Sequence, residues 1–290
     1  MSDRARGAVL LIVANFCFAC GYSLAHAAAG KISPWHLLFC RCLVYLLVLV
    51  PWACFHPRQA RGRNRGALIL RGVFGTAMLG CVVSALALIP LSTATVLAKT
   101  TPFWAVFVLW IAFSVRPTAV EFVAVPVALV GIFLVVHPEG SQSLANLAPL
   151  GLFLALGAGL LNSIEFIILR RLRRTDVPHT INLWYSGVML AAMLPLAVFL
   201  PWPAHPRFWL LAVAFGASTL IGQTLLATAL HLVKPSEAAI CTPLIPTFAT
   251  VIGWVVFGQT LSFLEILGLV LVIGAGTAAI AAGSRRPLPG

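Results

Sequence analysis

Long apolar runs constrain the fold of this chain more than any other feature of its sequence. The run at 67–89 contains a single charged residue, and nine further runs are similar to it. A transmembrane α-helix needs about 20 mainly apolar residues, and only helices or closed barrels can satisfy their backbone groups in lipid. Barrel strands are about ten alternating residues long, so these runs predict helices. The ten predicted spans are 7–29, 35–55, 67–89, 92–113, 118–137, 148–169, 178–200, 207–231, 236–257 and 262–282.

The charge content agrees with a multi-span membrane protein and excludes a soluble domain. Charged residues make up 9% of the 290 residues, whereas soluble proteins carry about 25%. The formal net charge of +12 raises the alternative of a nucleic-acid partner. However, the cations lie in the loops between spans, where the positive-inside rule accounts for them. We therefore expect a lipid bilayer around the chain and no nucleic-acid partner.

The distribution of lysine and arginine predicts which way the chain crosses the membrane. Two loops, 58–65 and 170–174, carry four arginines each. With the N-terminus in the cytoplasm, fifteen of the nineteen cations lie inside, two lie outside at Lys31 and Arg207, and two lie within spans. Cytoplasmic loops carry the excess of Lys and Arg. We therefore expect a multi-pass protein of the cell (inner) membrane, with both termini in the cytoplasm. The predicted cytoplasmic cations are Arg4, Arg6, Arg58, Arg61, Arg63, Arg65, Arg71, Arg116, Arg170, Arg171, Arg173, Arg174, Lys234, Arg285 and Arg286.

An internal repeat relates the two halves of the chain. The segment Ser92–Pro102 matches Ser236–Pro246 at an offset of 144 residues. We therefore predict two five-helix units, residues 1–145 and 146–290, which together form an all-α membrane protein. The matched pairs around this segment are Leu88 with Leu232, Ser92 with Ser236, Ala94 with Ala238, Pro102 with Pro246, Ala105 with Ala249, Trp110 with Trp254, Phe113 with Phe257 and Glu121 with Glu265.

The number of spans in each unit predicts that the two units are inverted relative to each other. Five is odd, so the second copy must enter the bilayer from the opposite side. Its basic loops then exchange sides: the loop at 58–65 corresponds to 202–209, which holds only Arg207. The basic loop at 170–174 corresponds to 26–30, which holds no cation. Inverted repeats are typical of secondary transporters, whose substrate site lies near the midplane between the halves.

With these features the chain resembles the ten-helix, EamA-type branch of the drug/metabolite transporter superfamily. The resemblance rests on the two five-span halves, on Arg41 in span two, and on the paired segments Ala94–Pro102 and Ala238–Pro246. Each segment is followed by a turn and by a span with a glutamate near its start, Glu121 or Glu265.

This resemblance implies transport of small organic metabolites through a central cavity, with both termini in the cytoplasm. We expect no cofactor, and no metal either, because nothing near Cys17-x-x-Cys20 completes a ligand set. The chain departs from the family at the turns after spans four and nine, where Gly-Glu is frequent. Val115-Arg116 and Gly258-Gln259 stand there instead. We expect a small-molecule substrate, with a coupled proton as an open alternative, and a monomer or a homodimer.

Two cations lie inside predicted spans and are candidates for an anion site. Lys99 lies seven residues into span four, and Arg41 lies six residues from the outer end of span two. A charge at this depth costs about 2.5–3.5 kcal/mol on insertion scales unless it meets water or a partner. Lys99 could instead snorkel to the surface, and Arg41 could contact headgroups or have a structural role. If both face inward, they form a receptor for a carboxylate or phosphate.

Span six contributes an acidic candidate. Asn162 and Glu165 are spaced i,i+3 on one face of the predicted helix. Glu165 has two interpretations: an ion pair at the membrane surface with Arg170 and Arg171, or a carboxylate that binds a proton or a substrate amine. Both interpretations remain open from the sequence.

Further polar and aromatic side chains of the spans are candidates to line the cavity. Tyr185 occupies the repeat position equivalent to Arg41, so pseudosymmetry predicts that the two face each other. Prolines that lack a backbone donor are expected to bend spans four and nine and to serve as hinges. The lining candidates are Asn15, Tyr22, Trp104, Trp184, Tyr185 and Gln223, and the hinge candidates are Pro102, Pro243 and Pro246.

The sequence thus predicts a secondary transporter of a small anionic or zwitterionic metabolite, such as an amino acid or another carboxylate. The alternatives are a channel and a membrane-embedded enzyme that acts on lipid or peptide. An enzyme would need paired aspartates at membrane depth, His-Glu-x-x-His or Gly-x-Ser-x-Gly, and the sequence has none of these motifs. We therefore expect that the chain is not an enzyme.

Overall fold

A computed structural model describes residues 3–113, 119–136, 148–172, 175–200, 202, 205–232, 244–259 and 262–283. Within these residues the secondary structure is entirely helical, which confirms the predicted fold class. The helices are α1 (Asp3–Ala27), α2 (Pro34–Phe55), α3 (Pro57–Ala60), α4 (Arg65–Leu88), α5 (Leu91–Ala98), α6 (Thr101–Phe113), α7 (Ala119–Val136), α8 (Pro149–Leu172), α9 (Pro178–Phe199), α10 (Pro206–Leu232), α11 (Leu244–Phe257) and α12 (Phe263–Gly283).

Six of these helices are long and apolar enough to cross a membrane, judged by length and composition: α1, α2, α4, α8, α9 and α10. Shorter apolar stretches lie in α7, α11 and α12. Each predicted span overlaps one of the helices, except that the fourth overlaps two and the first part of the ninth, 236–243, lies outside the described residues. The expected boundary between the repeats, near 145, also lies outside them.

Polar caps explain where several of the apolar helices begin. Ser33 accepts a hydrogen bond from the backbone N–H of Trp35 at the start of α2. The side chain of Asn64 accepts one from the N–H of Ala67 in α4. Before α12, Ser262 and Glu265 form a reciprocal capping box, with N···O distances of 2.7 and 3.2 Å. These caps satisfy orphan N–H groups where the chain turns between apolar helices.

Span four is broken rather than bent, and this corrects the prediction of one helix over 92–113. The helix α5 ends at Ala98, and α6 begins at Thr101. Proline at 102 has no N–H for the carbonyl of Ala98. The hydroxyl groups of Thr100 and Thr101 donate instead, to Leu97 O at 2.7 Å and to Ala98 O at 3.4 Å. Lys99 therefore lies at an interruption of the helix, where the backbone is locally satisfied by threonine side chains.

Helix α2 and its counterpart α9 run in opposite directions. At the start of α2, His36 packs against Trp202, which follows α9, with ring centroids 4.8 Å apart. At the end of α2, Trp52 stacks on His179 at the start of α9, with centroids 4.9 Å apart. The start of each helix thus meets the end of its counterpart, as an inverted repeat requires.

The two halves pack against each other through pairs of helices that the repeat relates. Helix α1 lies along α10, and its counterpart α8 lies along α4, while α2 packs on α9 and α7 packs on α12. Glycines at equivalent positions permit close approach of α4 to α9 and of α10 to α2. A Cβ at Gly72 would lie 2.7 Å from Val188 Cβ, and one at Gly216 would lie 3.1 Å from Val44 Cβ. Both pairs are related by the 144-residue offset, so the pseudo-twofold reaches the level of single side chains.

The packing departs from this symmetry in the contacts of α4 and its counterpart α10. Helix α4 packs against both α1 and α2. The equivalent helix, α10, makes almost no contact with α8 or α9 along the residues that the structure describes. The contact between α2 and α4 includes Trp35, whose ring lies 3.6 Å from where a Cβ at Gly80 would stand. Helix α4 therefore contacts α1 and α2 near one end of the molecule. The equivalent contacts of α10 with α8 and α9, near the opposite end, are almost absent along the described residues.

Candidate functional site

Charged and aromatic side chains from four helices meet between the two halves of the molecule. Helix α2 supplies two of them, and α4, α8 and α9 supply one each. All are buried. We call this group the central charged cluster; it consists of Arg41, Tyr45, Arg71, Glu165 and Tyr185.

Arg41 is held by aromatic faces and a thioether. Only 6% of its surface is exposed. Its Nη2 donates to the hydroxyl of Tyr45 at 3.1 Å, and its Nη1 contacts the sulfur of Met189 at 3.6 Å. The guanidinium carbon lies 4.3 Å from the ring centre of Tyr45 and 5.3 Å from that of Tyr185. Among the described residues no carboxylate lies within ion-pair distance of Arg41, and its Nε has no partner there.

Arg71 corrects the sequence analysis, which placed it on the cytoplasmic surface. It lies inside α4 and is 2% exposed. Its Nη2 pairs with Glu165 Oε1 at 3.2 Å, and its Nη1 donates to the carbonyl of Ile181 at 3.4 Å. The signal was present in the sequence, because Arg71 is the one charge within the run 67–89. The predicted number of cytoplasmic cations therefore falls from fifteen to fourteen.

Glu165 is buried, and its described partner is Arg71. The carboxylate is 7% exposed, and its Oε2 has no hydrogen-bond partner among the described residues. The positive charges of Arg71, Arg41 and Lys99 all act on it. One carboxylate thus lies in the field of three cations, with one oxygen left to accept a hydrogen bond.

Tyr185 touches both arginines of the cluster. Its ring centre lies 4.8 Å from the guanidinium carbon of Arg71, and its hydroxyl donates to Gly75 O at 3.3 Å. The expectation that Tyr185 faces Arg41 agrees with this geometry. Gly75 makes room for the arrangement, since a Cβ there would lie 2.6 Å from Tyr185 Cε2 and 3.1 Å from Glu165 Cδ.

The cluster occupies only one side of the pseudo-twofold. At the 144-residue offset, the counterpart of Arg71 is Phe215 and the counterpart of Glu165 is Gly21. A Cβ at Gly21 would stand 3.7 Å from the Phe215 ring and 2.8 Å from the Thr219 methyl carbon. The same backbone positions thus form an ion pair on one side and an apolar contact on the other.

The broken span lies beside the cluster and is tied to α8. Lys99 is half-buried at the break. Asn162 donates from Nδ2 to the hydroxyl of Thr101, the first residue of α6, at 2.8 Å. Trp104 packs on the same face of α8, since a Cβ at Gly159 would lie 3.2 Å from its ring. The sequence candidates Lys99, Asn162 and Trp104 therefore lie together at the edge of the central charged cluster.

Other candidates are placed differently by the structure. Trp184, a predicted lining residue, donates from Nε1 to the carbonyl of Ala60, the last residue of α3, at 3.0 Å. Asn15 is buried and donates to the carbonyl of Leu11 in its own helix at 2.7 Å. Neither side chain reaches the central charged cluster.

Two further lining candidates remain compatible with the predicted cavity. Tyr22 is buried in the core formed by the two halves. Gln223 is half-buried on α10. This helix packs on α1, whereas α8 packs on α4.

The hinge candidates lie where helices begin. Pro102 is the second residue of α6, directly after the break, and Pro246 is the buried third residue of α11. Pro243 lies outside the described residues. A role of these prolines as hinges remains a prediction.

The chain is similar to known transporters along nearly its whole length. The model of the EamA-like transporter family matches residues 5–137 and again residues 149–280. The pseudopaline exporter CntI of Pseudomonas aeruginosa is 27% identical over 284 residues, which cover 93% of this chain and 94% of the exporter. Human solute carrier family 35 member G1 is 23% identical, covering 82% of this chain and 69% of the carrier. One crystal structure, 19% identical, superposes with a TM-score of 0.64 over 97% of this chain and 99% of the other, and shows the fold.

Proposed function

Because the chain belongs to the EamA-like transporter family, and its relatives are membrane transporters, we propose that it carries a small anionic or zwitterionic metabolite by alternating access. The family resemblance identified from the paired segments and Arg41 is confirmed by the two matches of the family model. The substrate class and the mechanism rest on the central charged cluster.

The environment of Arg41 is the observation that carries this proposal. A guanidinium inside the membrane is costly unless it is paired, yet the described partners of Arg41 are a phenol, two aromatic faces and a thioether. Guanidinium binds a carboxylate or phosphate through two parallel hydrogen bonds. A substrate anion would supply the counter-charge and could use the unpartnered Nε.

Glu165 supports a zwitterionic substrate or a coupled proton. Its Oε1 is engaged by Arg71, while Oε2 has no described partner. A buried carboxylate oxygen without a partner carries a large desolvation cost. An ammonium group of the substrate, or a proton, would remove that cost. Lys99 adds positive charge at the broken span, close enough to act on Glu165.

We propose a transport path between the inverted halves, in a membrane in which both termini face the cytoplasm. The half-buried Asn162 and Gln223 would contact substrate on its way to Arg41. The Pseudomonas relative is named an exporter of pseudopaline, which makes export a direction to test for this chain. The protein would act as a monomer or homodimer, since each chain carries its own complete cluster.

Transport in proteoliposomes tests the role of Arg41. A panel of labelled amino acids and mono- and dicarboxylates is assayed with the wild type and with Arg41→Ala, Arg41→Lys and Lys99→Ala. We expect Arg41→Ala to lower kcat/KM by at least about 100-fold, because it removes hydrogen bonds to a charged group. Arg41→Lys retains the charge without the fork and should keep part of the activity.

The matched control is Arg207→Ala, which removes an arginine that packs on Phe208, away from the cluster. It should transport like the wild type. Transport of every carboxylate at the wild-type rate in both Arg41→Ala and Lys99→Ala would refute the anion site.

A further inference from the structure

We infer that this structure is closed on the side predicted to be outside and open on the cytoplasmic side, and that His26 is the latch that holds the outer side shut. The inference concerns conformation and does not depend on which substrate is carried.

The asymmetric packing of the two halves shows which end is closed. The contact between α1 and α4 includes a hydrogen bond between His26 and Leu86, near the C-terminal ends of both helices. The loops after these ends are short and hold only Lys31 as a cation, which the positive-inside rule assigns to the outer side. The repeat maps the α1–α4 contact onto α8 and α10. Along their described residues these two helices hardly touch.

A second contact, between α2 and α4, is likewise made at the outer end and nearly absent at its repeat equivalent. Near the start of α2, Trp35 lies beside Gly80 of α4, also towards the outer end. Its repeat equivalent would join α9 to α10 near the cytoplasmic end, where the two described helices make almost no contact. Both outer contacts are made, whereas the described residues of α8, α9 and α10 make almost no equivalent contact near the cytoplasmic end. In an inverted repeat the two arrangements are expected to exchange during alternating access.

His26 joins three helix ends at the closed side. Its Nδ1 lies 2.6 Å from the carbonyl of Leu86 near the end of α4, so it carries the proton and donates. Its Nε2 then accepts from the amide Nε2 of Gln259, directly after α11, at 3.2 Å. Phe257 packs on the imidazole edge-to-face, with centroids 4.9 Å apart. The ring thus uses both nitrogens to connect α1 and α4 of the first half with α11 of the second.

Gln259 contributes one side-chain hydrogen bond to this contact. Its backbone N–H donates to Gly253 O at 3.0 Å, and the left-handed Gly258, with φ 63°, turns the chain back at this point. Its Oε1 is buried without a partner among the described residues, so the His26 ring is the described partner of this amide. Separation of α1 from α11 would require loss of this hydrogen bond and would let water reach both groups.

Distances between spin labels test the inference. All seven native cysteines are replaced, and cysteine pairs are introduced at exposed positions, Leu88 with Val256 at the outer ends and Arg171 with Thr228 at the cytoplasmic ends. In liposomes the wild type should show a short outer and a long inner distance. His26→Ala should raise the population with a long outer and a short inner distance by about fivefold or more, the effect expected from losing one or two hydrogen bonds.

Two further variants keep the test decisive. Gln259→Leu removes only the amide and should shift both distances in the same direction but less, so it answers the question if His26→Ala does not fold. His205→Ala changes another histidine of the outer side, which packs on Phe208, and should shift neither distance.

Two outcomes would overturn the inference. The first is a His26→Ala protein whose two distance distributions match those of the wild type. The second is an outer distance that lengthens while the inner distance does not shorten, because the latch would then not be coupled to the opposite side. Neither outcome depends on Arg41 or on transport, so the anion-site proposal is judged separately.

Discussion

The pair formed by Arg71 and Glu165 is an expensive feature for a membrane protein to keep. Burial removes both charges from water, and replacement of a buried ion pair by apolar residues of similar volume is often neutral or stabilising. Its pseudosymmetric counterpart, Phe215 with Gly21, is such an apolar arrangement at equivalent backbone positions. Retention of the charged version on one side points to a role in binding or coupling rather than in stability.

This comparison leads to a double-mutant prediction. Removal of Glu165 alone, as Glu165→Leu, should lower the free energy of unfolding by about 3–5 kcal/mol, because Arg71 is left buried and unpaired. The double variant Arg71→Met with Glu165→Leu should recover most of that loss while transport stays abolished. Thermal unfolding in detergent and proteoliposome transport measure the two effects. A double variant as unstable as the single variant, or one that still transports, would show that the pair has a structural role.

Gly75 and Gly80, on the same helix, offer a matched test of space around the cluster. A Cβ at Gly75 would lie 2.6 Å from Tyr185 Cε2, whereas one at Gly80 meets nothing closer than 3.6 Å. Gly75→Ala should therefore cost about 1–3 kcal/mol of stability by overpacking and should lower transport. Gly80→Ala should be neutral or stabilise by up to about 1 kcal/mol, since alanine is the better helix former. Equal melting temperatures for the two variants would contradict the close approach of α4 to Tyr185.

At the scale of elements, the span predicted over 92–113 is broken between α5 and α6. Lys99 lies at the break, and the hydroxyls of Thr100 and Thr101 satisfy carbonyls that the helix leaves free. The bond from Asn162 to Thr101 anchors this weak point to α8. Lys99 at the break is close enough to act on Glu165 through its charge, and the N-terminus of α6 lies beside Asn162.

Hydrogen exchange around the break tests this anchor. Asn162→Leu removes one hydrogen bond, worth about 0.5–1.5 kcal/mol, and should speed amide exchange over residues 99–103 by roughly two- to tenfold. The control is Thr224→Val on α10, an exposed position whose hydroxyl bonds only to Leu220 O of its own helix. An unchanged exchange rate at the break in Asn162→Leu would mean that the anchor contributes nothing to its stability.

At the scale of the whole molecule, the antiparallel course of α2 and α9 makes the two halves inverted copies. Inversion would place equivalent loops on opposite sides of the bilayer, and their different arginine content would then give the two sides different charge. It also lets one set of contacts close the outer side while its equivalent closes the inner side.

Labelling of single cysteines in intact cells checks the orientation of both halves. In a background without native cysteines, Lys31→Cys and His205→Cys should react with an impermeant maleimide from outside. Arg58→Cys and Arg171→Cys should react only after the cells are opened. All four positions are exposed. Labelling of Arg58→Cys and His205→Cys from the same side would refute the inverted arrangement.

The sequence by itself determined the helices, because apolar runs of spanning length have no other stable form in lipid. It also determined the pairing of the two halves, since a fixed offset of 144 residues relates residues that share a structural position. Arg41, Glu165 and Tyr185 were found as unusual groups within apolar runs, for the same physical reason that makes them costly there.

Only the tertiary structure decided which of those groups meet. Arg71 and Trp184 each lie in a predicted span, as Arg41 does. Arg71 joins the central charged cluster, whereas Trp184 donates to the carbonyl of Ala60 at the end of α3. The sequence gives depth along a helix but not the rotation of each helix about its axis, and that rotation follows from packing against helices more than a hundred residues away. The closed outer side and the role of His26 depend on the same long-range packing, and no local pattern encodes them.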